Sequence, residues 1–162
     1  MKLKYVPLAI VVGILAAIWT WVSIKLSLPT WAGFMGWAFF FVAGSDNAAL
    51  WKASLPGVVG VILGHLSLYG LKLPGEMGVI GISVLVGLAA LILVLAMNWA
   101  PMALAPAGFV WFAAFFAFAF GKFAGDNFFS FSNILFTLIG LLVGVILGWL
   151  SVKITGLVTK KA

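Results

Sequence analysis

The pentapeptide Gly-Val-Ile-Leu-Gly occurs twice in the chain, at residues 60–64 and 144–148, and Leu-Ser follows it at the same spacing each time. Two other motifs precede it in the same order in both places. Ala-Gly-Phe begins a Phe-rich run at 32–34 and 107–109, and Asp-Asn follows that run at 46–47 and 126–127. Motifs that recur in a fixed order indicate an internal repeat. We predict one membrane domain, residues 1–162, built from two copies at about 5–72 and 77–158.

Six apolar runs follow one another along the chain, separated by proline, glycine and Asx residues that favour turns. With 65% hydrophobic and 7% charged residues, a chain of 162 residues has too little polar surface to cover a water-soluble globule. A bilayer span takes roughly 20 apolar residues. We therefore predict an all-α integral membrane protein with six transmembrane helices, at about 6–24, 31–44, 53–71, 77–99, 103–123 and 134–158.

The number of spans in each copy decides how the two copies are related. Three is an odd number, so the second copy enters the membrane upside down relative to the first. Such inverted repeats are typical of transporters and some channels, whose solute site lies near the mid-plane where the copies meet. The predicted fold is thus two inverted three-helix repeats.

Lysine supplies all of the positive charge, since the chain has no arginine and a formal net charge of +6. The lysines lie mostly at the edges of apolar runs, which suits contact with lipid headgroups rather than nucleic-acid binding. Six spans would put one group of charges, Lys25, Lys72, Lys122, Glu76 and Asp126, on one face. The other face would carry Lys2, Lys4, Lys52, Lys160 and Lys161. The positive-inside rule then predicts that both termini are cytoplasmic.

Glycines recur at helical spacing in the third and sixth spans. They are Gly57, Gly60 and Gly64 in one span and Gly140, Gly144 and Gly148 in the other. Small residues every third or fourth position remove bulk along one stripe, so that two helix backbones can approach closely. We interpret them as helix-packing residues. The alternative is that they line a narrow conduit and expose backbone carbonyls to a solute.

The second and fifth spans are rich in Phe and Trp, and most of these side chains are expected to face lipid or fill the core. Phe34 and Phe109 differ from the others because both follow Ala-Gly in matching places of the two copies. We predict that these two form a flat-walled slot that selects small solutes by size.

Asp-Asn follows each aromatic span, as Asp46-Asn47 and as Asp126-Asn127. One interpretation is that these side chains cap the next helix, since their oxygen atoms accept hydrogen bonds from free backbone amides at a helix start. The other places them at pore mouths on opposite faces, where they would concentrate cations or bind a polar solute.

His65 is the only histidine and lies in an apolar helix. No cysteine or carboxylate lies at ligand spacing from it, so no metal site is predicted. It is interpreted as an interface residue or, alternatively, as a pH-sensing or solute-binding residue. Further polar residues near span ends are expected to be solvated or to cap helices: Asn98, Ser130, Ser132, Asn133 and Thr137.

Catalytic constellations are missing from the sequence. There is no nucleophile with a matching base, no paired catalytic carboxylates, no phosphate-binding loop and no metal motif. We therefore predict that the chain is not an enzyme and needs no cofactor.

The segment Pro-Thr-Trp-Ala-Gly-Phe-Met-Gly-Trp-Ala-Phe-Phe at 29–40, the later Ala-Pro-Ala-Gly-Phe at 105–109 and the chain length resemble the YcdZ-like family of small bacterial inner-membrane proteins. The function of that family is unknown. The resemblance implies a multi-pass protein of the bacterial inner membrane and supplies no activity. In architecture, the chain is also similar to urea-type and aquaporin-type channels, although a shared fold does not establish function.

The predicted function is a membrane channel or facilitator for a small polar solute, urea-like or amide-like. Selectivity would depend on pore width and on the hydrogen-bonding groups that line the pore. A homo-oligomer is expected, with the lipid bilayer and the solute as the other partners and no nucleic acid. One alternative is a secondary transporter that couples a proton or cation through Asp46, Asp126 or His65. Another is a non-transporting scaffold or accessory subunit.

Overall fold

A computed structural model describes residues 5–159, and this part of the chain is helical without any strand. Lys2, Lys4, Lys160 and Lys161, which entered the prediction of orientation, lie outside the described residues. The α-helices are α1 Val6–Lys25, α2 Thr30–Val42, α3 Ala49–Ser67, α4 Glu76–Ala96, α5 Ala105–Phe120 and α6 Phe131–Thr159. Short 3-10 turns follow α3 at Leu68–Lys72 and α4 at Ala100–Met102. The prediction of an all-α chain is confirmed.

Four of these helices are long and apolar enough to cross a membrane. They are α1, α4, α6 and α3 continued by its 3-10 turn. The other two, α2 and α5, are apolar but have only 13 and 16 residues. At about 1.5 Å per residue they are roughly 20 and 24 Å long, which is shorter than a hydrocarbon core of about 30 Å.

Three helices end in the same kind of turn. Ser27, Gly44 and Lys122 have φ angles of 53°, 118° and 58°, in the left-handed region. In each case the amide of the next residue donates to a carbonyl near the end of the helix, from Leu28 to Ser23, from Ser45 to Phe40 and from Phe123 to Phe118. This Schellman pattern satisfies carbonyl groups that the helix leaves free. It explains why α1, α2 and α5 end where they do.

The core consists of two helix pairs, α2 packed along α6 and α3 packed along α5. In both pairs the backbones of the two helices are in direct contact. A Cβ atom added at Gly144 of α6 would overlap the carbonyl oxygen of Gly33 in α2, and one added at Gly60 of α3 would overlap the carbonyl oxygen of Gly108 in α5. Both contacts therefore require glycine.

The buried faces of α3 and α6 match position by position. The buried residues of α3 are Ala49, Ala53, Pro56, Gly57, Gly60, Val61, Gly64 and Ser67. Those of α6 are Asn133, Thr137, Gly140, Leu141, Gly144, Val145, Gly148 and Ser151. Each of the second set lies 84 residues after its counterpart in the first. The two helices thus use the same positions to contact the rest of the bundle.

Helices α1 and α4 pack on the outside of this core and leave most of their large side chains exposed. The buried Trp19 of α1 lies against Gly33, where an added Cβ would overlap its indole ring. The buried Leu93 of α4 lies against Gly108, where an added Cβ would be 2.9 Å from Leu93 Cδ2. Trp19 Nε1 also donates to the carbonyl oxygen of Thr30 at 2.8 Å, which ties α1 to the start of α2.

Substituting alanine for Gly144 or Gly60 is expected to lower the stability of the protein. The new methyl group meets a backbone carbonyl, which cannot move aside as a flexible side chain can, and overpacking of this kind costs about 1–3 kcal/mol. Gly87→Ala in α4 is the matched control, because nothing lies within 4 Å of a Cβ at Gly87. Thermal unfolding in detergent micelles measures the difference. Equal unfolding temperatures for Gly144→Ala and Gly87→Ala would contradict the close contact between the backbones of α6 and α2.

Candidate functional site

A cavity of about 240 Å³ lies where the α2–α3 connection meets the C-terminal half of α6. It is lined by an acidic residue, a basic residue, an amide, a hydroxyl and an indole, and its lining residues are Ser45, Asp46, Asn47, Trp149, Val152 and Lys153. We call it the Asp46 cavity. Charges of both signs beside an aromatic ring suit a small polar solute better than an apolar one.

One long-range hydrogen bond and one contact within α6 hold the Asp46 cavity together. Trp149 Nε1 donates to Asn47 Oδ1 at 2.9 Å, across 102 residues of sequence. Lys153 lies one turn after Trp149, with its Nζ 5.6 Å from the centre of the Trp149 ring. The connection between α2 and α3 therefore supplies the amide of this site, and α6 supplies the indole and the ammonium group.

Asp46 also forms a hydrogen bond with the first residue of α3, beside the cavity. Its Oδ1 accepts a hydrogen bond from the backbone amide of Ala49 at 2.7 Å, which satisfies one of the free amides at the start of α3. Asp46 thus acts as a cap, as one of the two interpretations of the sequence proposed. Its position in the cavity wall leaves the other interpretation open.

The second Asp-Asn pair lies in a different environment. Asp126 forms an ion pair with Lys122 at 2.9 Å, and the two side chains are 88% and 56% exposed. Asn127 Oδ1 accepts from the amide of Phe129 at 3.0 Å. The carbonyl oxygen of Asn127 accepts from Asn133 Nδ2, also at 3.0 Å. Asn127 therefore touches the first turn of α6.

The two Asp-Asn pairs contact the same helix, one in its first turn and the other in its C-terminal half. Asn127 contacts α6 at Asn133, and Asn47 contacts it at Trp149. These two points are 16 residues apart, which is about 24 Å along the helix at roughly 1.5 Å per residue. The pairs are thus separated by most of the thickness of a bilayer core.

His65 belongs to an aromatic cluster near the end of α3. Its ring makes edge contacts with Tyr69 and Phe115, with ring centres 5.6 and 5.8 Å away. Lys72 Nζ lies 4.4 Å from the centre of the Tyr69 ring and 4.7 Å from that of Phe129, which is the geometry of a cation–π contact. His65 does not line the Asp46 cavity.

Phe34 and Phe109 lie on the outside of the helix bundle, with 43% and 38% of their surface exposed. Phe34 stacks on Trp37 at 6.3 Å with nearly parallel rings. Within residues 5–159, no ring contact joins Phe34 to Phe109. The structure therefore does not bring the rings of the two predicted slot residues into contact within the chain.

The six glycines singled out from the sequence all lie against neighbouring helices. Added Cβ atoms would meet Trp111 at Gly57, the Gly108 carbonyl at Gly60 and Phe115 at Gly64. In α6 they would meet Ala32 and Pro29 at Gly140, the Gly33 carbonyl at Gly144 and Phe40 at Gly148. The glycine stripes are thus occupied by other helices.

Asn133 and Thr137 are fully buried, so the expectation that they are solvated or cap a helix is wrong. They lie seven and three residues before Gly140, on the same face of α6 as the glycines. That spacing was the signal in the sequence that would have placed them in the core. Trp149 and Lys153, which line the Asp46 cavity, were also missed, because only the fold brings them to Asn47.

Comparison with known proteins places the chain in a family. The model of the family described as "Protein of unknown function (DUF1097)" matches residues 9–156. The chain belongs to the DUF1097 family. It is 31% identical over 113 residues to "Inner membrane protein YcdZ" of Escherichia coli (strain K12), which covers 68% of each chain. No solved structure matches it. The resemblance to a YcdZ-like family is thus confirmed, and this DUF1097 protein is a membrane protein.

The two repeated aspartates are expected to differ in their effect on stability. Asp46→Ala removes the hydrogen bond to the start of α3, and loss of a helix cap costs about 1 kcal/mol. Asp126→Ala removes only an exposed ion pair, and such pairs contribute little. Thermal unfolding of both variants in detergent tests this. An unfolding temperature that falls as far for Asp126→Ala as for Asp46→Ala would contradict the larger contribution assigned to the Asp46 cap.

Proposed function

We propose that this DUF1097 protein is a facilitator for a small polar solute, urea-like or amide-like, in the bacterial inner membrane. The observation that carries the proposal is the contact of both Asp-Asn pairs with α6, one in its first turn and one 16 residues further along. In this proposal the pairs are the two mouths of a pathway, one at the Asp46 cavity and one at Asn127. The printed name of the E. coli relative supports the location. We propose no enzymatic activity and no cofactor.

We further propose that all six helices span the membrane and form two inverted three-helix repeats, with both termini cytoplasmic. The matched buried faces of α3 and α6 support the repeat, because each residue of one has its counterpart 84 residues later in the other. The paired contacts support it too, since Gly60 meets Gly108 as Gly144 meets Gly33. In this arrangement the short helices α2 and α5 would cross the membrane beside the longer helices α6 and α3, which pack along them.

The size filter of the proposed pathway is formed by Phe34 and Phe109. Because both rings are exposed on the protomer, a slot lined by them needs a neighbouring copy of the chain. We therefore propose a homo-oligomer in which these rings face another protomer. Asn47 and Asn127 would replace some of the hydrogen bonds that the solute makes to water before it enters.

A coupled transporter is the second candidate. The observation that favours it is the close backbone contact in both helix pairs, because a tightly packed protomer would have to change conformation to pass a solute. Asp46, Asp126 and His65 would then be the groups that bind a proton or cation.

Stopped-flow light scattering on vesicles that contain the purified protein tests the proposal. We expect urea to cross faster than in empty vesicles without any ion gradient. Acceleration only under an imposed proton or cation gradient would favour the coupled transporter. No acceleration with or without a gradient, for urea, glycerol, ammonium and water alike, would contradict both and favour a scaffold.

The aromatic filter has its own test in the same vesicles. The double variant Phe34→Ala and Phe109→Ala is expected to raise the flux of glycerol relative to urea, because removing two rings widens the slot. Phe120→Ala is the matched control, since Phe120 is 47% exposed on the same helix as Phe109. An unchanged glycerol-to-urea ratio in the double variant would eliminate the slot.

A further inference from the structure

An apolar groove runs along one side of α4, between that helix and the end of α3. Two cavities form it, of about 420 and 190 Å³, and Leu85 lines both of them. The other lining residues of α4 recur every third or fourth position, so they share one face of that helix. They include Met77, Ile80 and Val84 in the larger cavity and Leu88 and Ile92 in the smaller one. We call it the α4 groove.

The α4 groove is long enough for one acyl chain of a lipid. From Met77 to Ile92 the helix rises by about 22 Å, at roughly 1.5 Å per residue. An acyl chain extends over one leaflet, which is about half of a hydrocarbon core of about 30 Å. Since α4 is long and apolar enough to cross a membrane, the groove follows the direction in which acyl chains lie.

Lys72 lies at the end of the α4 groove, where the 3-10 turn after α3 leads to α4. Its Nζ is 4.4 Å from the centre of the Tyr69 ring, and Tyr69 lines the groove. The same atom is 4.7 Å from the centre of the Phe129 ring. Two cation–π contacts therefore hold the ammonium group beside the groove.

The charge of Lys72 is not neutralised by a carboxylate. Lys122 is 2.9 Å from Asp126, whereas Lys72 forms no ion pair with any residue in the described range 5–159. Glu76 begins α4 four residues after Lys72, but it does not line the groove. Aromatic rings position a cation and leave its net charge in place, so Lys72 attracts anions at this end of the groove.

An apolar groove that ends at a cation matches a lipid with an apolar chain and an anionic headgroup. We propose that the α4 groove binds one acyl chain of an anionic phospholipid whose phosphate contacts the Lys72 ammonium group. A second copy of the chain would use the groove without the cation, and a free anion would use the cation without the groove. The inference rests on the membrane location of the chain and is independent of the proposed solute pathway.

Native mass spectrometry of the full-length protein, released from detergent micelles, counts the bound lipids. Phosphatidylglycerol and phosphatidylethanolamine with identical acyl chains are added to separate samples. We expect phosphatidylglycerol to bind about fivefold more tightly, because one lysine beside an anionic headgroup contributes about that factor. Glycerol phosphate carries the phosphate without the chains and is expected not to bind.

Two variants with matched controls separate the charge from the groove. Lys72→Gln is expected to bind both lipids equally, and Lys25→Gln, at another exposed lysine at a helix end, is expected to keep the preference. Val84→Phe fills the groove and is expected to weaken the binding of both lipids several-fold. Val79→Phe is its control, since both valines of α4 are more than half exposed but only Val84 lines the groove.

Three results would overturn the proposal. The first is equal binding of the two lipids by the wild-type protein, or an unchanged preference in Lys72→Gln. The second is binding of glycerol phosphate as tight as that of phosphatidylglycerol, which would indicate a site for a free anion. The third is a dimer that Val84→Phe abolishes while lipid binding to the monomer stays unchanged, which would make the groove an interface between copies of the chain.

Discussion

The close approach of helix backbones at paired glycines is the contact on which the rest of the bundle depends. Inside a bilayer, lipid tails are as apolar as the side chains, so helices associate through tight packing rather than through the hydrophobic effect. Gly60 meets Gly108 and Gly144 meets Gly33 at backbone distance. The outer helices pack against the same two glycines of α2 and α5. Trp19 of α1 packs on Gly33, and Leu93 of α4 packs on Gly108. Two glycines of the short helices thus organise contacts with four long ones.

Much of the polar chemistry of the molecule lies at matched positions of α3 and α6 that carry different residues. Four of the eight matched buried positions of α3 and α6 carry the same residue, and the other four do not. His65 corresponds to Trp149, and the first packs among aromatic rings while the second binds Asn47. Ala49 corresponds to Asn133 in the same way. The bundle therefore has a charged cavity beside the C-terminal half of α6 and a buried amide and hydroxyl in the first two turns of that helix.

The sequence was sufficient for the helices but not for the site. Apolar runs and turn residues placed every helix to within four residues. The largest differences are at α3, which runs from Ala49 to Ser67 rather than from residue 53 to residue 71. It begins earlier because Asp46 accepts a hydrogen bond from the Ala49 amide, and its predicted last turn is a 3-10 turn. The Trp149 to Asn47 bond joins residues 102 positions apart, so no local pattern contained it. Asn133 and Thr137 were predicted to face water because polar residues near the end of a span usually do. They are buried because they lie seven and three residues before Gly140, on the helix face that carries the glycines.

The most direct test of the inverted repeat is the accessibility of single cysteines from each side of the membrane. The chain has no cysteine, so Ala48→Cys and Asp126→Cys each introduce one thiol, both at exposed positions between helices. Labelling of whole cells and of inverted vesicles with a membrane-impermeant maleimide then reports the side of each thiol. The inverted repeat predicts that residue 48 is labelled from the cytoplasmic side and residue 126 from the opposite side. Labelling of both from the same side would contradict it.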